Sequence, residues 1–427
     1  MSPNAAEYID DPQFSNLSTN GVTIAANENS PTMQENSDLS IHLTTFNCAA
    51  LPHPRFPISL PELPPDLLVL GLQELTPPAI AFLNRAVIDD EYLKGVKSVT
   101  EIARKQYGKD YEVATIVRIG PTALIVWSAL GSRLKKVKTA SAACGLFGIL
   151  SNKGAVAARL TVSDRTASCH SDLTLDYGEE REVTFAVAHL AAQEDYFDRR
   201  NQDFQTLVQN LVFPDQTGIF QPHTPLFFLG DLNYRLSALH PSRSTSKVNL
   251  INNQAEIIDE TPSLVAKLKE ALVDFLATGK FLKLVPHDQL PLSPLALHLT
   301  ESPITFGPTY KYVSYNPPKY ASHRTPSWTD RILYTPDTIQ TADYNSITSE
   351  SFSDHQAVSL NAVLRQADFE AEDGIMPWEI NPSWRERREL GEKLGYLTGL
   401  MEYMEESKIG LLVIAAILGP LALYWYL

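Results

Sequence analysis

Along the middle of this chain, short apolar runs of strand length alternate with amphipathic or polar connections. Ile41 to Phe46, Leu67 to Leu72, Ala123 to Trp127, Val183 to Ala188 and Leu226 to Leu229 are such runs. Largely apolar stretches of this length mark strands covered on both faces, because a strand with one wet face alternates apolar and polar residues. They predict the central strands of buried sheets. Between them, Glu194 to Val212 carries Phe197, Phe204, Leu207, Val208 and Leu211 at helical spacing, and Ser263 to Leu276 repeats the pattern with Leu264, Leu268, Leu272 and Leu276. Both predict helices laid over the sheets. The polar stretches Asp164 to Arg181 and Ser237 to Ser246 predict surface loops.

The two ends read differently from the middle. Residues 1–38 are rich in Asn, Ser, Pro, Asp and Glu with little apolar periodicity, the composition of a disordered leader. Ile409 to Leu427 is a run of 19 residues without a charge, preceded by Lys408, close to the ~20 apolar residues with which a helix crosses a bilayer core. Gly410, Gly419 and Pro420 are tolerated in membrane spans, and Tyr424, Trp425 and Tyr426 suit the far interface. The expected organisation is a leader over 1–38, a folded domain over 39–366, a linker over 367–407 and a transmembrane tail anchor over 408–427, membrane contact being made by residues 409–427. Arg385, Arg387, Arg388 and Lys393 are interspersed with glutamates, so residues before the tail predict a solvated helix rather than a polybasic lipid site. No basic n-region with an apolar stretch opens the sequence, so the domain is expected on the cytosolic side. A short span with nothing beyond it suits the thinner endoplasmic reticulum bilayer.

Charge narrows the function. The 427 residues carry a formal net charge of −15, which argues against nucleic acid as a partner, because broad binding to a polyphosphate backbone requires a basic surface. A small phosphorylated substrate needs only a local basic pocket. Cys48, Cys144 and Cys169 are too few and too scattered for a disulfide framework or a zinc site and read as reduced thiols.

Several apolar runs end in a residue able to hold a metal or a phosphate: Asn47, Glu74, His189, and Asp231 with Asn233. Strand ends are where a rigid sheet can keep such groups in register. Hard oxygen donors such as Glu74 and Asn47 favour Mg²⁺, which keeps several waters and takes one or two protein groups plus substrate phosphate.

Gly-Asp-Leu-Asn-Tyr-Arg at 230–235, Pro-Ser-Trp-Thr-Asp-Arg-Ile-Leu at 326–333 and Ser-Asp-His at 353–355 follow in that order, supported by Phe-Asn at 46–47, Gly-Leu-Gln-Glu at 71–74, Ser-Asn-Lys-Gly-Ala-Val at 151–156, Ala-His-Leu-Ala-Ala at 188–192 and Pro-Thr-Tyr-Lys-Tyr at 308–312. Over residues 41–364 the chain resembles the inositol polyphosphate 5-phosphatases, a branch of the DNase I-like superfamily. The resemblance implies an α/β (α+β) fold, a four-layered sandwich of two mixed β-sheets flanked by helices, with the active site at one end. It also implies Mg²⁺-dependent hydrolysis of the 5-phosphate of a phosphoinositide lipid, phosphatidylinositol 4,5-bisphosphate foremost, by in-line attack of water.

The roles it implies fall on particular residues. Glu74 is the principal Mg²⁺ ligand with Asn47 beside it, and Asp354 lies next to the metal centre. Asp231, helped by Asn233, positions and deprotonates the attacking water. His355 donates to the scissile phosphate, Asp330 orients it and keeps it protonated, and His189 contacts another phosphate oxygen. Tyr310, Lys311 and Arg324 receive the 4-phosphate, and Lys153 with Asn152 the phosphate nearer the glycerol. The sequence departs from the family pattern at Thr329, where cysteine is usual, at Gly307, and at Ser322, often a lysine; Lys319 stands nearby. The apolar run Leu146 to Leu150 before Lys153 is open to two readings, a packing segment or an edge that meets lipid. The competing classes are a catalytically idle phosphoinositide-binding tether and another hydrolase of the superfamily, such as a sphingomyelinase or a DNA-repair endonuclease.

Overall fold

The computed structural model describes residues 38–50, 56, 59–77, 81–82, 85–164, 168–169, 175–176, 179–236, 288–315, 318–322, 324–340, 342–347, 353–365 and 377–406. The leader up to residue 37, the expected helix Ser263 to Leu276, the loop Ser237 to Ser246 and the tail 409–427 lie outside them. Among the described residues no helix is long and apolar enough to cross a membrane.

In chain order the elements are β1 (Leu39–Asn47), β2 (Leu67–Gln73), α1 (Arg85–Tyr107), β3 (Glu112–Ile119), β4 (Thr122–Ser128), β5 (Leu134–Ala143), β6 (Gly154–Ser163), β7 (Ser168–Cys169), β8 (Leu175–Asp176), β9 (Glu180–His189), α2 (Phe197–Asn210), β10 (Leu226–Asp231), β11 (Thr300–Glu301), β12 (Tyr312–Tyr315), β13 (Pro318–Tyr320), β14 (Asp330–Tyr334), β15 (Ala342–Ile347), β16 (Ala357–Leu364) and α3 (Trp384–Glu406). The five apolar runs are β1, β2, β4, β9 and β10. The polar stretch from Asp164 is not loop throughout: β7 and β8 pair as a short antiparallel ladder, and β9 already begins at Glu180.

Two six-stranded mixed sheets form, in the orders β15-β16-β1-β2-β4-β3 and β11-β14-β10-β9-β6-β5. Each has a single parallel pair at its centre, β1 with β2 and β9 with β10, and antiparallel strands on either side. The sheets pack face to face over Leu43, Val69, Val126, Val187, Leu229, Ile332 and Val358. The approach is close enough that a Cβ added to Gly71 would lie 2.7 Å from Val187 Cγ2. Because these central strands are buried on both faces, the runs in β2, β4, β9 and β10 are mostly apolar, whereas β1 also buries His42, Thr44 and Thr45, with His42 Nδ1 2.6 Å from Asn361 Oδ1 and Thr45 Oγ1 3.3 Å from Gln73 Oε1.

Helices complete four layers. Tyr92, Val96, Val99 and Ala103 of α1 cover the outer face of the first sheet against Trp127 and Ile125. Phe204, Leu207 and Val208 of α2 cover the second against Phe228 and Leu226. The last turn of α1 carries Arg104 and Lys105, favourable at the negative end of the helix dipole, and Gly108, at φ 63°, ends it with its N–H on Arg104 O. Residues from the expected linker form α3 and the segment before it, and both pack on the domain: Asn381 N–H donates to Gln209 O at 2.9 Å, Trp378 meets Phe204 edge-on, and Arg387 Nη2 of α3 donates to Gly148 O.

Candidate active site

The topology explains why the chemistry collects at one edge. Parallel neighbours end at the same edge of a sheet, and antiparallel neighbours begin where they end. In the first sheet Asn47 closes β1 opposite Gln73, with Glu74 one residue past β2, while β16 starts beside the end of β1 and is preceded by His355. In the second, His189 and Asp231 close β9 and β10 as register partners, and Asp330 opens β14 opposite Asp231. Gly230 is required here: its φ is 144°, and a Cβ would overlap the carbonyl oxygen of Ala188 on the neighbouring strand.

Asp231 sits at the centre of the group. Its Oδ2 accepts from Asn47 Nδ2 at 2.8 Å and lies 3.3 Å from His189 Nε2 and 4.0 Å from His355 Nε2; its Oδ1 accepts from Asn233 N–H at 3.2 Å. Burial alone would raise the carboxyl, but the His189 hydrogen bond and the charges around it hold it far below the usual carboxylate range. His189 is fully buried between Asp231 and Lys153, and burial together with the lysine charge lowers it, so the ring is neutral at pH 7. Its Nε2 either donates to Asp231 or accepts from Lys153 Nζ; one nitrogen cannot do both.

His355 and Asp330 form a second unit, with Nδ1 to Oδ2 at 2.9 Å. Burial disfavours the imidazolium, yet the charge and hydrogen bond of Asp330 overcome it and bring His355 up to about 9. Asp330 Oδ2 also accepts from Thr309 Oγ1 at 2.7 Å and Thr329 Oγ1 at 2.9 Å. Burial and the nearby Asp231 charge raise Asp330, while the charge of His355 and three donors on one oxygen favour its ionised form, and the ion pair of imidazolium and carboxylate is the state these contacts suit. Ser353 fixes its position: the hydroxyl donates to Asn47 O at 2.6 Å and accepts from His355 N–H at 3.0 Å.

Cations flank these groups on two sides. Lys153 Nζ contacts His189 and lies 3.9 Å from Glu74 Oε1. On the other side Lys311 pairs with Asp354, and Arg324 Nη1 donates to Gln193 Oε1 at 3.2 Å. The Tyr310 ring is held between His355, with centroids 4.4 Å apart, and the Arg235 guanidinium, 4.4 Å from its centroid. Asn152 Oδ1 accepts from Leu146 N–H at 3.1 Å and so pins the preceding loop. The Asn233 side chain turns away from Asp231, with Nδ2 on Leu190 O and Oδ1 on Arg235.

Sequence reasoning passed over Arg235, Thr309, Gln193 and Glu194, although the first two stand inside quoted motifs. Glu194 Oε1 accepts from Thr325 N–H at 3.2 Å and, with Gln193, ties the segment after β9 to that before β14. Thr329 occupies the usual cysteine position productively, as a hydroxyl donor to Asp330.

Two sets of donors could receive a metal. Asp231, Asp330 and His355 offer ligand atoms within 4.8 Å of one another; Asp330 Oδ2 and His355 Nδ1 are committed to each other, while Asp330 Oδ1 is buried without a hydrogen-bond partner. Glu74 keeps its side chain 42% exposed, 3.7 Å from His189 Nε2, and stands beside Asn47, whose Oδ1 accepts from Ala49 N–H and retains a second lone pair. This oxygen-rich corner is the better fit for a hard divalent cation. Asp354 belongs to the Lys311 side, with Oδ1 4.0 Å from His355 Nε2.

Comparison with known proteins adds the relatives. Residues 44–361 match the family model described as endonuclease/exonuclease/phosphatase family 2. The type II inositol 1,4,5-trisphosphate 5-phosphatase of Mus musculus is 29% identical over 317 residues, 71% of this chain and 27% of that protein. Inositol-1,4,5-trisphosphate 5-phosphatase 1 of Schizosaccharomyces pombe is 29% identical over 342 residues, 76% of this chain and again 27% of the relative. The match thus spans about a quarter of the length of these relatives. Among solved structures, the inositol polyphosphate 5-phosphatase domain of a synaptojanin, in complex with inositol 1,4-bisphosphate and a calcium ion, has the same fold, with a TM-score of 0.51 at 22% identity over 87% of this chain and 93% of that one.

Proposed function

Since the chain belongs to endonuclease/exonuclease/phosphatase family 2, we propose that it is an inositol polyphosphate 5-phosphatase that uses Mg²⁺ to remove the 5-phosphate of phosphoinositides, phosphatidylinositol 4,5-bisphosphate foremost. One observation carries the reading: a buried carboxylate and a carboxylate-backed histidine meet at one sheet edge, between Lys153 on one side and Lys311 and Arg324 on the other. The relatives named inositol 1,4,5-trisphosphate 5-phosphatases support it.

Glu74 and Asn47 would hold the Mg²⁺, whose chemistry is to stabilise charge on the phosphoryl and leaving oxygens. Asp231 orients the attacking water. A carboxylate held so far below its usual range is a strong, fixed acceptor and a weak base, so it takes the proton late, as the water oxygen bonds to phosphorus. His355 donates from Nε2 to a non-bridging oxygen of the scissile phosphate, with Asp330 fixing the ring through Nδ1. Lys153 and His189 meet further phosphate oxygens, and Lys311, Tyr310 and Arg324 receive the 4-phosphate, Lys311 exchanging Asp354 for the substrate. No covalent enzyme intermediate forms.

The membrane part of the reading rests on the sequence: residues 409–427 anchor the chain, with the catalytic domain on the cytosolic face and the endoplasmic reticulum as the favoured membrane. The test is phosphate release by the full chain in detergent micelles, with and without Mg²⁺, from phosphatidylinositol 4,5-bisphosphate, phosphatidylinositol 3,5-bisphosphate and soluble inositol 1,4,5-trisphosphate, with Asp231→Asn as control. Mg²⁺-dependent loss of the 5-phosphate, abolished by the control, is the expected result. Binding of the headgroup without release from any of the three would refute the enzyme and leave a tether.

A further inference from the structure

The helix α3 has two unlike faces. Along one, Gly391, Gly395 and Gly399 recur every fourth residue and are all buried. A Cβ on Gly391 would overlap the carbonyl oxygen of Ile149, and one on Gly395 would lie 3.3 Å from the Phe82 ring. Arg387 Nη2 donates to Gly148 O at 2.8 Å. This face is therefore seated directly on the backbone of the loop that leads into Lys153, and on the segment that follows Glu74. Next to it runs an apolar stripe, Leu390, Leu394, Leu397 and Met401, spaced i, i+4, i+7 and i+11 along one side of the helix. Leu397 is 54% and Met401 63% exposed. The gripped loop itself exposes Leu146 and Phe147, the latter 79% exposed and held at φ 57°, a conformation that costs a bulky residue of order 1 kcal/mol.

Exposed apolar side chains so grouped mark a docking surface, and the chain itself indicates what covers it. Three residues after α3 ends, the uncharged run 409–427 begins. With that run in a bilayer, the end of α3 lies within ~11 Å of the lipid surface, the reach of three extended residues. Electrostatics does not supply the attraction: residues 384–406 hold four basic and six acidic side chains, and Arg388 and Lys393 pair with Glu392 and Glu389. The contact has to be apolar.

We propose that α3 is a strut fixed to the catalytic domain whose Leu390–Leu394–Leu397–Met401 stripe lies in the acyl boundary of a phospholipid bilayer, setting the orientation in which Lys153 and Glu74 face the headgroups. The inference takes its substrate from the phosphoinositide reading above; the docking itself does not depend on it. An anchored domain on a flexible linker would sample all orientations, whereas one bound through a rigid helix spends its effective concentration in one.

The test uses the full chain reconstituted into phosphatidylcholine vesicles containing phosphatidylinositol 4,5-bisphosphate. In Leu397→Trp, the added tryptophan emission, measured against the parent chain, is quenched by phosphatidylcholine with dibrominated acyl chains, and equally so when phosphatidylserine is included. The double variant Leu397→Asp, Met401→Asp loses about tenfold in 5-phosphate release from the vesicles and retains its rate on soluble inositol 1,4,5-trisphosphate, which also shows that it is folded. Absence of quenching overturns the proposal, as does an equal loss on both substrates by the milder variant Leu397→Gln. A concentration-dependent dimer in sedimentation that the double variant abolishes overturns it in favour of a second copy of the chain on the stripe. If the parent releases phosphate from neither substrate, the enzymatic reading falls and the quenching still decides the docking.

Discussion

Replacing Asp330 with asparagine isolates what the carboxylate does for His355, because the amide keeps the shape of the site and removes the charge. With Asp330 in place His355 titrates near 9, against an ordinary value of 6.5. At pH 7.5 the protonated fraction is then about 97%, and at the ordinary value about 9%, so the loss of charge alone lowers the competent form about tenfold. Burial disfavours the imidazolium further once its counter-charge is gone, making tenfold the floor, and looser ring orientation adds to it. The assay is the pH profile of kcat/KM on soluble inositol 1,4,5-trisphosphate, which reports the titration of the free enzyme. The parent should lose activity as pH rises through about 9, whereas in Asp330→Asn the fall begins below pH 6.5, so the deficit narrows on acidification from pH 8 to 6. A constant ratio of the two profiles across this range would refute the reasoning and leave Asp330 a purely structural role. Stability obeys the same linkage: the folded value is raised, so the contribution of His355 is fully present below pH 6.5 and lost as pH rises through about 9. The interval corresponds to ~3 kcal/mol at roughly 1.36 kcal/mol per pH unit, an upper figure because burial of Asp330 opposes it.

Glu74→Gln should lower kcat by about a hundredfold or more and raise the Mg²⁺ needed for half-activation; an unchanged Mg²⁺ titration would move the metal to the Asp231, Asp330 and His355 group. Lys311→Ala and Arg324→Ala should each raise KM for phosphatidylinositol 4,5-bisphosphate about ten- to a hundredfold, the worth of a charge-assisted phosphate contact, and leave phosphatidylinositol 3,5-bisphosphate, which has no 4-phosphate, within twofold. Equal effects on the two lipids would remove these residues from 4-phosphate recognition. Gly230→Ala forces a Cβ into Ala188 O and should destabilise the fold by about 2–4 kcal/mol, read as a lowered midpoint in urea; an unchanged midpoint would show that β9 and β10 can part there without cost.

The strands that carry the site were legible because both of their faces are buried: an apolar run in the sequence records burial directly, and the polar residue that ends it records the sheet edge. Asn47, Glu74, His189 and Asp231 could be picked out on that ground. Nothing local distinguishes Asp330 or His355 in the same way, since the one opens and the other precedes an antiparallel strand, and they reach the edge only through pairings with β10 and β1. Those pairings join residues 99 and more than 300 positions apart, and only the family motifs brought the two residues forward. Arg235 and Thr309 were passed over for a related reason, since each acts on another side chain, Tyr310 and Asp330, whose neighbour no spacing rule predicts.

The case of α3 is different in kind, because its sequence showed the solvated face of the helix and not the packed one. Arginines mixed with glutamates over residues 385–393 describe a solvated helix, and three glycines lower helix propensity by roughly 1 kcal/mol each relative to alanine. In the structure those glycines are what lets the helix backbone approach Ile149, and Arg387 spends its charge on a carbonyl. A pattern judged by propensity alone has no access to a contact made through the absence of a side chain. The same absence has a functional consequence. A side chain at 391 would lift α3 off the loop leading into Lys153, so the residues that look like a linker join that loop to the apolar stripe. If the tail 409–427 is in a bilayer, any lipid headgroup reaching Glu74 and Lys153 does so in the orientation that α3 permits, and activity on lipid then depends on residues that never touch the substrate.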